Sequence, residues 1–314
     1  MKLVYLGSPE AAVRPLQALV EAGHEVLLVV SQPDRKRGRG AALTSSPVKA
    51  AAQALGLHVT DRPDDVLDAV ADGAELGVVV AYGRLIKGNL LDVLPFVNLH
   101  FSLLPRWRGA APVERAVLAG DAETGVCLMA LEAGLDTGPV YQQVRTPIGE
   151  HESAATLRER LVTIGTAMLV AALGGGPLDP GTAVPQRGDP TYAAKLDPSE
   201  FVIDWQDTAD AIARLTRLGA AWTVFRGKRL KVLEAVVDSA SVSTSDAPCA
   251  DFVQQSHSNT DVPGTILGVR PMVHVVTGEG VLRVVRVQPE GKASMDAAAW
   301  RNGVQPCVGD RLGT

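Results

Sequence analysis

At 314 residues, 46% of them hydrophobic and 21% charged, the chain is long enough for two packed domains and too apolar for overall disorder. A formal net charge of −5 excludes sequence-blind nucleic-acid binding carried by overall charge, so any nucleic-acid face has to be a local patch. No apolar run reaches membrane-spanning length, and Cys127, Cys249 and Cys307 are too scattered for a metal motif or a disulfide framework. A cytoplasmic protein without a bound metal is expected.

Residues 3–6 read as an apolar strand ending at Gly7. Ser8 is placed to cap a helix over 10–22, with Pro9 in its first turn and Pro15 bending or delaying it. Gly23 ends that helix and residues 25–31 form the next strand, which makes a βαβ unit and implies a parallel sheet. The G-x-G-x-x-G fingerprint is missing, so this is a poor dinucleotide site. Residues 32–46 read as a long loop carrying Arg35, Lys36, Arg37 and Arg39 between pliable glycines; loops of that length are usually functional or disordered. A helix over 47–55 capped by Ser46, a central buried strand over 76–81 and a short helix over 85–91 lead to a strand that runs into Asn98. Strands over 126–131 and 140–146, with a loop at 134–139 between them, and a helix over 156–173 complete a first domain of residues 1–175.

Glycines and prolines from 174 to 185 mark residues 176–203 as a linker. Beyond it the texture changes. One helix over 204–218 is followed by short strands over 222–226, 229–237, 264–269, 273–277 and 281–288, a spacing that suggests a small barrel for residues 204–314. Residues 238–261, rich in Ser, Asp and Gln, read as a mobile loop between two barrel strands. A second basic cluster, Arg226, Lys228, Arg229 and Lys231, falls in this part.

The chemistry concentrates in Asn98-Leu99-His100-Phe101-Ser102-Leu103-Leu104-Pro105 and the following Arg106-Trp107-Arg108-Gly109-Ala110-Ala111-Pro112. Asn98 and His100 are two apart at a strand end, so both point to one side, where ligands of α/β sheets sit. An amide that donates to an oxyanion beside an imidazole that handles protons suits attack on a carbonyl. By itself such a pair is more often a polar strand end with a satisfied histidine. A second segment, Gly134-Leu135-Asp136-Thr137-Gly138-Pro139, adds a carboxylate on a tight turn that can orient or charge the imidazole, although alone Asp136 suits an Asx-type turn equally well.

Together these segments resemble the methionyl-tRNA formyltransferase family. The likeness continues through Ser31-Gln32-Pro33-Asp34, Val78-Val79-Val80-Ala81-Tyr82-Gly83, Ile203-Asp204-Trp205, Pro263-Gly264-Thr265-Ile266-Leu267 and Gln288-Pro289-Glu290-Gly291-Lys292, in order along nearly the whole chain. The resemblance implies an α/β fold, a Rossmann-like parallel-sheet formyltransferase domain followed by a C-terminal OB-like β-barrel that contacts tRNA. It implies transfer of the formyl group of 10-formyltetrahydrofolate to the α-amine of initiator methionyl-tRNA. Asn98, His100 and Asp136 match the family's catalytic positions, Ser102, Leu103, Leu104 and Pro105 its tetrahydrofolate-binding turn, and Arg35, Lys36, Arg37 and Arg39 its tRNA-contacting insertion. Folate and initiator tRNA are the expected partners of a monomer. The main alternative is a folate-dependent formyltransferase acting on a nucleotide-sugar amine; a tRNA- or folate-binding protein without catalysis fits the intact Asn98, His100 and Asp136 set poorly.

Overall fold

A computed structural model describes residues 1–37, 42–238, 262–269 and 271–313. They divide into two compact units, the first made of residues 1–116, 121–148 and 156–195, the second of 117–120, 149–155 and 196–314. No helix among the described residues is long and apolar enough to cross a membrane.

The first unit is built on strands β1 (Lys2–Gly7), β2 (Glu25–Val30), β3 (Val59–Thr60), β4 (Leu76–Val80), β5 (Phe96–His100), β6 (Glu123–Ala130) and β7 (Val140–Pro147). They lie in the order β7-β6-β5-β4-β1-β2-β3. The pairs from β3 to β5 are parallel; β6 and β7 are added antiparallel at one edge. The chain first builds outward from β1 to β3, then returns to build from β4 to β7. Between β1 and β4 successive connections therefore diverge, which opens a crevice beyond the carboxyl ends of the strands. The β4 run Leu-Gly-Val-Val-Val is buried throughout, as a central strand covered on both faces must be. Gly77 is needed there because a Cβ would sit 2.1 Å from the ring of its neighbour Phe96.

Helices α1 (Val13–Glu21), α2 (Pro47–Ala54), α3 (Val66–Ala71), α4 (Gly88–Leu91), α5 (Pro112–Ala119) and α6 (Ala154–Leu173) fill the connections. The helix expected from residue 10 begins as a 3-10 turn, Glu10–Ala12, and becomes α-helical at Val13, so Pro15 falls in the first turn of α1, where its missing N–H breaks no bond. Ser8 does not cap it. The Ser8 hydroxyl instead accepts from the Gln32 N–H at 3.1 Å, while Ser46 does cap α2, accepting from the Lys49 N–H. The expected helix over 85–91 shrinks to α4, which leaves residues 82–87 as loop. Within the expected long loop, Arg35–Arg37 pairs antiparallel with Ala42–Thr44 as a short hairpin; Arg39 lies outside the described residues.

The stretch read as a linker is bonded to the first unit over much of its length. Val184 bridges to Val140, the Thr191 carbonyl accepts from the Arg108 N–H, and Tyr192–Ala193 runs parallel to Arg108–Gly109. The tether is backbone pairing, which composition does not reveal.

In the second unit β8 (Trp222–Phe225), β9 (Lys228–Val237), β10 (Ile266–Gly268), β11 (Val273–Val276) and β12 (Val281–Pro289) form a curled antiparallel sheet in the order β8-β9-β12-β11-β10. Register shifts around Glu234 bend β9 and curl the sheet into an OB-like half-barrel. Trp205, Phe225, Leu230, Val232 and Trp300 pack in its core. The helix expected over 204–218 is shorter, α7 (Ala209–Thr216): Thr208 caps it, and Asp204 accepts from the Gln206 N–H in a turn of its own. Residues 239–261, most of the expected mobile loop, lie outside the described residues.

Candidate active site

Strand β5 ends at the crevice and delivers Asn98 and His100 to one cavity of about 460 Å³. Its walls are the loop after β4, residues 81–86, and the segment after β6, residues 131–136, which brings Asp136 to the cavity. Exposed Leu85 and Leu135 lie at this cavity, an apolar pairing that suits a flat ligand.

His100 is held on one nitrogen and faces Asp136 with the other. Its Nε2 lies 2.8 Å from the Trp107 carbonyl, which only accepts, so Nε2 carries hydrogen and Nδ1 is the nitrogen left to take up a proton. Asp136 Oδ2 stands 3.7 Å from Nδ1, an ion-pair distance rather than a hydrogen bond. The same oxygen accepts the Gly109 N–H at 2.8 Å. Asp136 itself has φ of +51°, and Trp107 a φ of +63°. Non-glycine residues in this region mark backbone forced to present a group, here a carboxylate and a carbonyl.

The turn between them is built from the sequence upward. Ser102 is fully buried and its hydroxyl donates to the Arg106 carbonyl at 2.6 Å, while Leu104 packs on Cys127 and Met129. Arg106 and the Trp107 indole N–H both donate to Asp121, with the Arg106 guanidinium 4.5 Å over the Trp107 ring. Hydrogen bonding to Asp121 holds the Arg106 guanidinium above its ordinary range, against a smaller effect of burial. Trp107 is thereby fixed as a structural residue that aims its carbonyl at His100. Burial also pushes the Cys127 thiol up to about 11, so this cysteine packs as an apolar group.

A formyl transferase family model matches residues 1–173, and the model for the C-terminal domain of formyl transferases matches residues 195–305. A methionyl-tRNA formyltransferase of Roseobacter denitrificans is 43% identical over 96% of this chain and 96% of that protein. The chain belongs to the methionyl-tRNA formyltransferase family. Among solved structures, the N-formyltransferase of Helicobacter canadensis in complex with folinic acid and dTDP-3-aminofucose covers 92% of this chain and 99% of that one, with a TM-score of 0.62 at 16% identity. HypX of Aquifex aeolicus in complex with tetrahydrofolic acid covers 98% of this chain, which spans 48% of that longer protein, with a TM-score of 0.62 at 16% identity. At that identity both likenesses concern the fold alone.

Of the residues singled out from the sequence, Asn98, His100 and Asp136 come together in the cavity. Ser102, Leu103, Leu104 and Pro105 do not line it: Ser102 is buried, and the other three border a second, more open cavity of about 810 Å³. Arg35, Lys36 and Arg37 lie on the hairpin strand described above. In the second basic cluster Arg226 is engaged structurally, donating to Asp310 and to the Val304 carbonyl, and the Arg229 guanidinium lies 4.1 Å over the Trp222 ring. Sequence reasoning missed the cavity walls at 84–86 and 131–133, because residues 85 and 86 read as the start of a helix and residue 131 as the end of a strand.

Proposed function

We propose that the chain transfers the formyl group of 10-formyltetrahydrofolate to the α-amino group of initiator methionyl-tRNA in the cytoplasm, with Asn98, His100 and Asp136 as the catalytic residues. The observation that carries this reading is the convergence of an amide, an imidazole of fixed tautomer and a half-buried carboxylate in one cavity at the carboxyl ends of a parallel sheet. The donor supplies a formyl carbon bonded to a nitrogen leaving group. The cavity fits its flat ring: the volume is that of a small-ligand pocket, and Leu85, Ile86, Leu131 and Leu135 offer apolar walls.

The residues act as follows. Asn98 donates its amide hydrogens to the oxygen that becomes negative as the amine adds, an interaction whose loss typically costs roughly 10²–10³ in rate. His100 takes the amine proton on Nδ1, because Nε2–H is held by the Trp107 carbonyl. Asp136 faces the imidazolium so formed and keeps it oriented through its own bond to the Gly109 N–H. The proton then passes to the departing nitrogen. Ser102–Pro105 support the donor indirectly, by shaping the turn that presents the Trp107 carbonyl. Arg35, Lys36, Arg37 and Arg39 hold the phosphate backbone of the acceptor stem, the first three on a paired hairpin strand.

The test is formyl transfer from 10-formyltetrahydrofolate to charged initiator tRNA, run beside an amino-sugar nucleotide as acceptor. Transfer to the tRNA alone is the expected result; transfer to the sugar alone replaces the proposed acceptor, and no transfer to either refutes the proposed reaction.

A further inference from the structure

The turn that carries Asp136 is not held only by its own residues. Gln186, on the strand-like stretch beyond α6, reaches back to it: its Nε2 donates to the Asp136 carbonyl and to the Gly138 carbonyl, both at 2.8 Å. Its Oε1 accepts from Arg108 through Nε at 3.1 Å and Nη2 at 2.7 Å. The amide orientation follows from these partners, since only the NH₂ end donates to two carbonyls. Arg108 directly follows Trp107, whose carbonyl holds His100, and directly precedes Gly109, whose N–H holds Asp136. One half-buried side chain therefore ties the two segments that face each other across the catalytic pair. The same stretch fixes Trp107 again, because the Thr191 hydroxyl oxygen accepts the Trp107 N–H at 2.9 Å.

We propose that Gln186 is a positioning residue for the reaction, locking the left-handed Asp136 turn to the Arg108 backbone and so setting the separation of Asp136 and His100. This rests on the assignment of those two residues to formyl transfer. Gln186 does not touch the reacting atoms; it acts through Asp136. A displacement of the carboxylate by about 1 Å is enough to cost roughly 10²-fold in such sites.

The experiment compares Gln186→Leu, which keeps the volume and removes the amide, with Gln186→Glu, which keeps an acceptor for Arg108 and loses the donor to the two carbonyls. Each is measured in the full-length protein for kcat and KM and for the pH titration of the His100 ring by ¹⁵N NMR. Turnover should fall about 10- to 100-fold in both with KM for donor and tRNA within about threefold, and Asp136→Ala added to either should slow it no more than Asp136→Ala alone. The His100 titration should move in both variants in the direction it moves in Asp136→Ala. Wild-type turnover, losses that add fully to that of Asp136→Ala, or a His100 titration identical to wild type in both variants would each overturn the proposal. If the wild-type protein formylates no tRNA, the functional reading fails while the titration still decides whether Gln186 governs the pair.

Discussion

Asp136→Asn isolates the charge of the carboxylate from its shape. The Asn oxygen still accepts the Gly109 N–H, so the turn is retained, but the group facing His100 Nδ1 becomes a neutral amide. His100 is 5% exposed and Asp136 12%, so solvent screens their interaction little. A unit-charge pair at about 4 Å is worth about 4 kcal/mol at an effective dielectric of ~20. At about 1.4 kcal/mol per decade, losing it from the transition state slows transfer roughly a thousandfold. Single-turnover formylation of charged initiator tRNA by an excess of enzyme reads the chemical step directly, and the melting temperature should stay within about 2 °C of wild type because packing and hydrogen bonding are conserved. A folded Asp136→Asn protein that transfers formyl within fivefold of the wild-type rate would refute the reasoning, since the carboxylate would then contribute position but no charge.

Replacing Arg35, Lys36, Arg37 and Arg39 with Ala should weaken tRNA binding, leave folate binding unchanged and flatten the dependence of log K on log salt by roughly 0.7–0.9 for each phosphate that the hairpin no longer neutralises, which titrations at several salt concentrations read; an unaltered slope assigns the hairpin to solvent. Gly109→Ala places a Cβ 2.9 Å from the Ala193 carbonyl oxygen at a φ of +116°. It should cost about 1–3 kcal/mol, seen as a fall in melting temperature of roughly 3–10 °C, together with a loss of turnover as the N–H leaves Asp136. Burial pushes the Cys127 thiol up to about 11, so at pH 8 iodoacetamide should modify exposed Cys307 and spare Cys127 in peptide maps of the native protein; equal labelling would contradict its burial.

How far the sequence spoke depended on whether a feature was local. The βαβ start and the buried Val78–Val80 run are set by neighbouring residues, and the strands stand close to where the pattern puts them. Asn98 and His100 were legible for the same reason, since a two-residue spacing on a strand fixes a common face. The Ser102–Pro105 turn shows the limit. A Pro-stiffened apolar turn beside a histidine resembles a ligand contact, and Leu103, Leu104 and Pro105 border a cavity other than the one that holds His100, while Ser102 is drawn inward by the Arg106 carbonyl, a partner that no spacing announces. Gln186 was invisible because its partners lie 48, 50 and 78 residues away and its own surroundings are rich in glycine and proline, the composition of a linker. The hairpin at Arg35–Arg37 was hidden by its charge, which resembles a solvated loop whether or not its backbone is paired.

The central claim is that formyl transfer runs through His100 in the cavity at the end of β5. The most direct measurement is the single-turnover rate of His100→Ala with 10-formyltetrahydrofolate and charged initiator tRNA, beside the affinity of that variant for each. Removing the group that takes the amine proton should slow transfer by at least about 10²–10⁴-fold while both affinities stay within a few-fold of wild type. Transfer at a rate within tenfold of wild type would contradict the account.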